Sequence, residues 1–138
     1  MLGKICLKQP SAAESSTACI ASVSVYYGLN IPLQIIRRFA PLENEKATYE
    51  KLVMAAQSVG FEVIELVNDE FYLRNMRKPL ITSFGTDDNP HFVVVYDVSD
   101  TRVALMDPKD GKIHEFSLDE FKQGCGSFLL QLKPTLFR

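Results

Sequence analysis

The feature that most constrains this chain is a change of hydrophobic period at Gly60. Before it, apolar residues recur at helical spacing. After it, they fall into short alternating or continuous runs of strand length. On the N-terminal side, Ala18, Ile20, Ala21, Val23 and Val25 predict a helix that Gly28 ends in a left-handed cap. IPLQIIRRFAP, bracketed by Pro32 and Pro41, predicts a second, short helix. TYEKLVMAAQSVG predicts a third, with Thr48 as its cap, Leu52, Val53, Ala56 and Val59 on one side, and Gly60 as its terminator.

Beyond Gly60, FEVIEL alternates with period two, whereas PLITSF and HFVVVYDV are nearly continuous apolar runs. VALMD predicts a further strand leading into the turn DPKDGK, and SFLLQL a last one. In SLDEF, Ser117 and Glu120 have the spacing of a capping box. Helices first and strands afterwards, joined by short loops such as SDTR, predict an α+β fold with the helices packed on an antiparallel sheet. At 138 residues the whole chain, 1–138, is expected to form one domain.

Charge and cysteine usage narrow the function. A net charge of -2 offers no basic footprint, which argues against nucleic acid as a partner and against a polybasic membrane anchor. Cys6, Cys19 and Cys125 are odd in number and widely spaced, and they form no CxxC. A disulfide framework and a zinc site are therefore not expected, and a reducing, cytosolic setting fits. The N-terminus lacks the apolar core of a signal peptide, and no apolar run approaches the ~20 residues of a membrane helix.

His91 opens a strand, and Asp107 closes the next one but for a hairpin near residue 99. Paired antiparallel, the two would come level at one end of the sheet. There a carboxylate can hold one imidazole nitrogen and leave the other to act as a base. Both residues also have ordinary readings, as a structural histidine and as an Asp-Pro turn initiator. A nucleophile would belong at a helix N-terminus, where Ser15, Ser16 and Thr17 stand, with Cys19 one turn in. By local pattern alone, a serine there caps the helix and Cys19 is a small buried apolar residue. His114 and Cys125 have no partner at useful spacing.

Taken together and in order, Gln9, Ser15, Cys19, Tyr26-Tyr27-Gly28, HFVVVY at 91–96 and DPKDG at 107–111 resemble the bacteriocin-processing cysteine peptidase domain of peptide-exporting ABC transporters. The resemblance runs from about Lys8 to Pro134. It implies a papain-like fold and a domain at the N-terminus of a longer exporter, on the cytoplasmic face of the bacterial inner membrane, the fragment itself being soluble. It further implies recognition of a leader peptide that ends in two glycines, with cleavage after that pair in active members. The implied roles are His91 as base, Asp107 as the residue that orients it, and Gln9 as oxyanion donor. The implied partners are a leader or cargo peptide and the transmembrane and nucleotide-binding domains of the transporter. ATP is expected in those domains and no cofactor in this one.

The departures from the family pattern fall at the reacting centre. Ser15 occupies the position of the nucleophilic cysteine, Glu14 that of the preceding aspartate, and Ser16 that of the following glycine. A serine hydroxyl titrates far above a thiol, so the same histidine cannot pre-ionise it. Losing the nucleophile of a triad costs many orders of magnitude in rate. The expectation is a peptidase-like domain that binds peptide with little or no proteolysis, with capping as the main remaining task of Ser15. The alternatives are an active leader peptidase whose cysteine has been replaced, and a working serine variant. Ser16 favours the first, because drift after loss of catalysis alters neighbours that a designed replacement would leave alone.

Overall fold

The computed structural model describes residues 4–8, 14–39, 49–85 and 91–135. Thr48 and Pro41, expected to bracket helices, lie outside the described residues. Three helices come first: α1 (Ser15–Tyr26), α2 (Leu33–Phe39) and α3 (Tyr49–Ser58). α1 is buried on every side from Ser15 to Ser24, which its many small side chains allow by letting other elements approach closely. It ends as predicted. Gly28 takes φ +80°, its N–H bonds Val25 O, and Leu29 N–H bonds Ser24 O at 2.8 Å. This pair of bonds consumes carbonyls that the last turn would otherwise leave open. An added Cβ at Gly28 would meet nothing within 4 Å, so the backbone conformation, not crowding, favours glycine there.

The strands are β1 (Phe61–Val67), β2 (Leu80–Phe84), β3 (His91–Val98), β4 (Arg102–Asp107), β5 (Lys112–Ser117) and β6 (Phe128–Pro134). They form one sheet in the order β1-β6-β2-β3-β4-β5, and every pairing is antiparallel. Two short helices interrupt them, α4 (Glu70–Asn75) and α5 (Leu118–Gly124). The predicted capping box of α5 forms in full: Ser117 Oγ accepts from Glu120 N–H, and Glu120 Oε1 accepts from Ser117 N–H. Two elements escaped the sequence reading. KIHEFS makes edge strand β5, none of whose residues is fully buried, so it carries no apolar run. α4 has only six residues, too few for a period to show, although its Asp69 cap accepting from Tyr72 N–H is an ordinary start signal.

Alternation along β3 explains its continuous apolar run. Phe92, Val94 and Tyr96 join Cys19, Ile20, Ile36 and Leu52 in a core between the sheet and α1–α3. Val93 and Val95 join Leu73, Leu105 and Phe121 in a second core, on the side of α4 and α5. With both faces covered, no position on the strand needs to be polar. Each large side chain buried in this way contributes about 1.5–3 kcal/mol. The α+β class and the packing of the N-terminal helices on an antiparallel sheet are as expected.

Candidate active site

His91 and Asp107 meet. His91 Nε2 lies 2.6 Å from Asp107 Oδ1, with both side chains mostly buried. A bulge creates the contact. β3 and β4 pair Val98 with Val103 and Asp97 with Ala104, then slip by one residue at Tyr96 so that Val95 faces Leu105 and Val94 faces Met106. Continuing that register sets Asp107 across from Val93, on the sheet face that His91 also uses. Without the slip, Asp107 would oppose Val94 and point to the other face. Tyr96, the inserted residue, is anchored by its hydroxyl, which donates to Ile5 O at 2.8 Å.

The electrostatics of the pair set the tautomer. Burial pushes the Asp107 carboxyl up, but the hydrogen bond with His91 and another from Lys109 N–H outweigh it and hold the group below its ordinary value. An ionised carboxylate only accepts, so Nε2 carries the proton and donates it. In the neutral ring Nδ1 is then the basic nitrogen.

Ser15 comes to the same end of the sheet from the opposite face. Its Oγ accepts from the backbone N–H of Phe92, the residue after His91, at 3.1 Å. This corrects the expectation that Ser15 caps the helix. Ser15 is the first residue of α1, Glu14 is the N-cap, and no side-chain capping bond forms. Ser15 stands one position past the cap, and the long-range bond from β3 fixes its Oγ beside the histidine-bearing strand.

Glu14 supplies a feature that the sequence did not announce. Its carboxylate is buried, with 1% exposure, and Arg37 of α2 grips it with two contacts, Nε to Oε1 at 2.6 Å and Nη2 to Oε2 at 3.2 Å. The two-pronged ion pair ties the start of α1 to α2 and so holds Ser15 in place. In the sequence Arg37 is one of two adjacent arginines in a helix, with nothing to mark which would turn inward. Tyr96 likewise reads only as one apolar residue of a run.

Of the remaining candidates, Cys19 is fully buried, and burial followed by the charge of Asp107 pushes its thiol well above the ordinary value. It is a core residue and no substitute nucleophile. His114 does have a partner, contrary to expectation: its Nε2 lies 2.8 Å from Asp110 Oδ2 across the turn into β5. Cys125 is half-buried, and desolvation raises its thiol as well. Gln9 lies outside the described residues. Among the described residues, no group of three or more His, Cys, Asp or Glu side chains is placed to hold a metal ion. No helix among them is long and apolar enough to cross a membrane.

The sequence profile of the Peptidase C39 family matches residues 4–135. The colicin V secretion/processing ATP-binding protein CvaB of Escherichia coli is 30% identical over 128 residues, which is 93% of this chain and 18% of that protein. The chain thus spans under a fifth of the length of the curated relatives it matches. The peptidase domain of Streptococcus ComA, a bi-functional ABC transporter involved in quorum sensing, superposes with a TM-score of 0.87 at 22% identity, covering 96% of this chain and all of that one. A double glycine motif protease from an AMS/PCAT transporter, solved with its leader peptide, gives 0.82 at 24% identity, covering 94% and 91% of the two chains. With the profile spanning nearly its whole length, the chain belongs to the Peptidase C39 family.

Proposed function

We propose that this chain is the peptidase-like domain of a peptide-exporting ABC transporter, lying at the cytoplasmic face of the membrane, where it binds a double-glycine leader or its cargo with little or no cleavage. The observation that carries the reading is the pairing of Ser15 with the β3 strand beside the His91–Asp107 contact. Base, orienting carboxylate and nucleophile position converge on one end of the sheet, and the position of the attacking atom holds oxygen. Ser15 stands in place of the family's cysteine, His91 is the base, Asp107 orients it, and Gln9 is the oxyanion donor. The transmembrane and ATP-binding domains of the same transporter are the further partners.

An ordered His91–Asp107 pair also favours a second reading, an active leader peptidase that works through the Ser15 hydroxyl. One experiment separates the two. A double-glycine leader peptide is incubated with the chain and with its Ser15→Cys version. The first reading expects binding by both and cleavage at least ~10³-fold faster with the cysteine. Cleavage by the unmodified chain at a comparable rate, abolished by His91→Ala, would overturn it.

A further inference from the structure

A cavity of about 440 Å³ opens against His91 and Asp107. It lies on the face of the sheet opposite α1: Phe84 pairs directly with His91 across β2 and β3, and Phe116 pairs with Val103 of the second core. Residues directly opposed in an antiparallel pair share a face. Ser15, by contrast, reaches β3 from the α1 side. His91 therefore stands between the nucleophile position and the cavity. Phe84 and Phe116 form an aromatic wall, their rings 4.8 Å apart, and Phe84 is backed by Phe121 at 5.8 Å. Glu120, Gln123 and Lys109 make the polar rim.

The chemistry of acyl transfer tells which end of a peptide such a cavity receives. The base takes the proton of the nucleophile as the new bond to the carbonyl carbon forms. It returns that proton to the departing amine as the C–N bond breaks, so the departing segment must lie on the histidine's side. Building on the function proposed above, we infer that this cavity is the subsite for the first residue after the Gly-Gly pair, and that it takes an aromatic or large apolar side chain against Phe84 and Phe116. The domain then reads the start of the cargo as well as the end of the leader. It does so without needing to cut, because the aromatic wall is independent of the atom at position 15.

Three blocked peptides test this against the unmodified chain by NMR titration: acetyl-Gly-Gly-amide, acetyl-Gly-Gly-Ala-Ala-amide and acetyl-Gly-Gly-Phe-Ala-amide. The Phe peptide is expected to bind roughly tenfold more tightly than the Ala peptide, from the burial of one aromatic side chain, and to shift the signals of Phe84, Phe116 and Gln123. Gln123→Trp fills the mouth of the cavity from an exposed position and should erase the Phe preference, bringing the Phe and Ala peptides to equal affinity. Phe116→Ala should reduce the preference too. Equal binding of the two longer peptides, or a Phe preference that survives Gln123→Trp, overturns the inference. Failure of acetyl-Gly-Gly-amide to perturb the Phe92 amide, with the Phe preference intact, instead overturns the leader-binding reading and leaves the pocket standing.

Discussion

The molecule contains two His–Asp pairs within a few residues of the same turn, and they differ in almost everything except composition. His91 and Asp107 come from adjacent strands, lie 2.6 Å apart and are 17% and 20% exposed. His114 and Asp110 are four residues apart, lie 2.8 Å from each other and are 39% and 44% exposed. The first pair has Ser15 anchored at the next backbone amide and an aromatic cavity beside it. The second is open to solvent, with the Phe116 ring stacked on the imidazole. A histidine and an aspartate in contact are thus a common surface event. A bulge, a buried position and a helix terminus arriving from the other face turn one such pair into a candidate catalytic dyad.

The largest effect expected from this comparison is on rate. In the Ser15→Cys protein acting on a double-glycine leader peptide, His91→Ala should lower kcat/KM by about 10³-fold or more. His114→Ala should change it less than about twofold. Equal losses would erase the distinction between the pairs. The carboxylates come next. Asp107→Asn should cost about 10- to 100-fold in the same assay, because Asn, carrying a donor as well as an acceptor, no longer enforces the Nε2-H tautomer and has no charge to stabilise the imidazolium. Asp110→Asn should again be close to neutral.

Arg37 tests what holds Ser15 near the first pair. Arg37→Ala takes the two-pronged partner from a buried carboxylate and should lower stability by about 1.5–3 kcal/mol, read from urea unfolding. Arg37→Lys should recover only part of that, lacking the planar fork. An unchanged urea midpoint for Arg37→Ala would show that the clamp is not what fixes the start of α1.

The smallest effect concerns acid. The Asp107 carboxyl is held below its ordinary value in the folded state, so its contribution is present above the unfolded value of about 3.9 and fades as pH falls through the lower folded value. The stability gap between the unmodified chain and Asp107→Asn should therefore shrink as pH drops below about 4. Asp110 is lowered in the same direction, slight desolvation being outweighed by His114 and Lys112 N–H. Because it is solvent-exposed, its gap should be far smaller. A gap for Asp107 that stays constant down to pH 3 would mean that its hydrogen bond to His91 carries no charge.

Several of these features are written locally in the sequence. The change of period at Gly60 separates the first three helices from the strands, Gly28 ends α1, and Ser117 with Glu120 starts α5. Each is a signal completed within a few residues by backbone hydrogen bonds and φ/ψ preference. A hairpin near residue 99 brings His91 and Asp107 to the same end of the sheet, where they meet, although the folded register sets Asp107 across from Val93 and not level with His91. KIHEFS stayed invisible because an edge strand that never buries a residue fully needs no apolar alternation.

Tertiary structure decided the rest. The one-residue slip at Tyr96 determines whether Asp107 shares a face with His91, and no nearby residue encodes it. The inserted Tyr96 is held by a contact distant in sequence, its hydroxyl bond to Ile5 O, 91 residues away. The Ser15 hydroxyl chose a strand amide 77 residues away over its own helix, and Arg37 chose Glu14 across 23 residues. Local periodicity determines which segments are helix or strand, because its energetics are short-range. Register, facing and ion pairing depend on how distant segments pack, and so the site itself took shape only in the folded molecule.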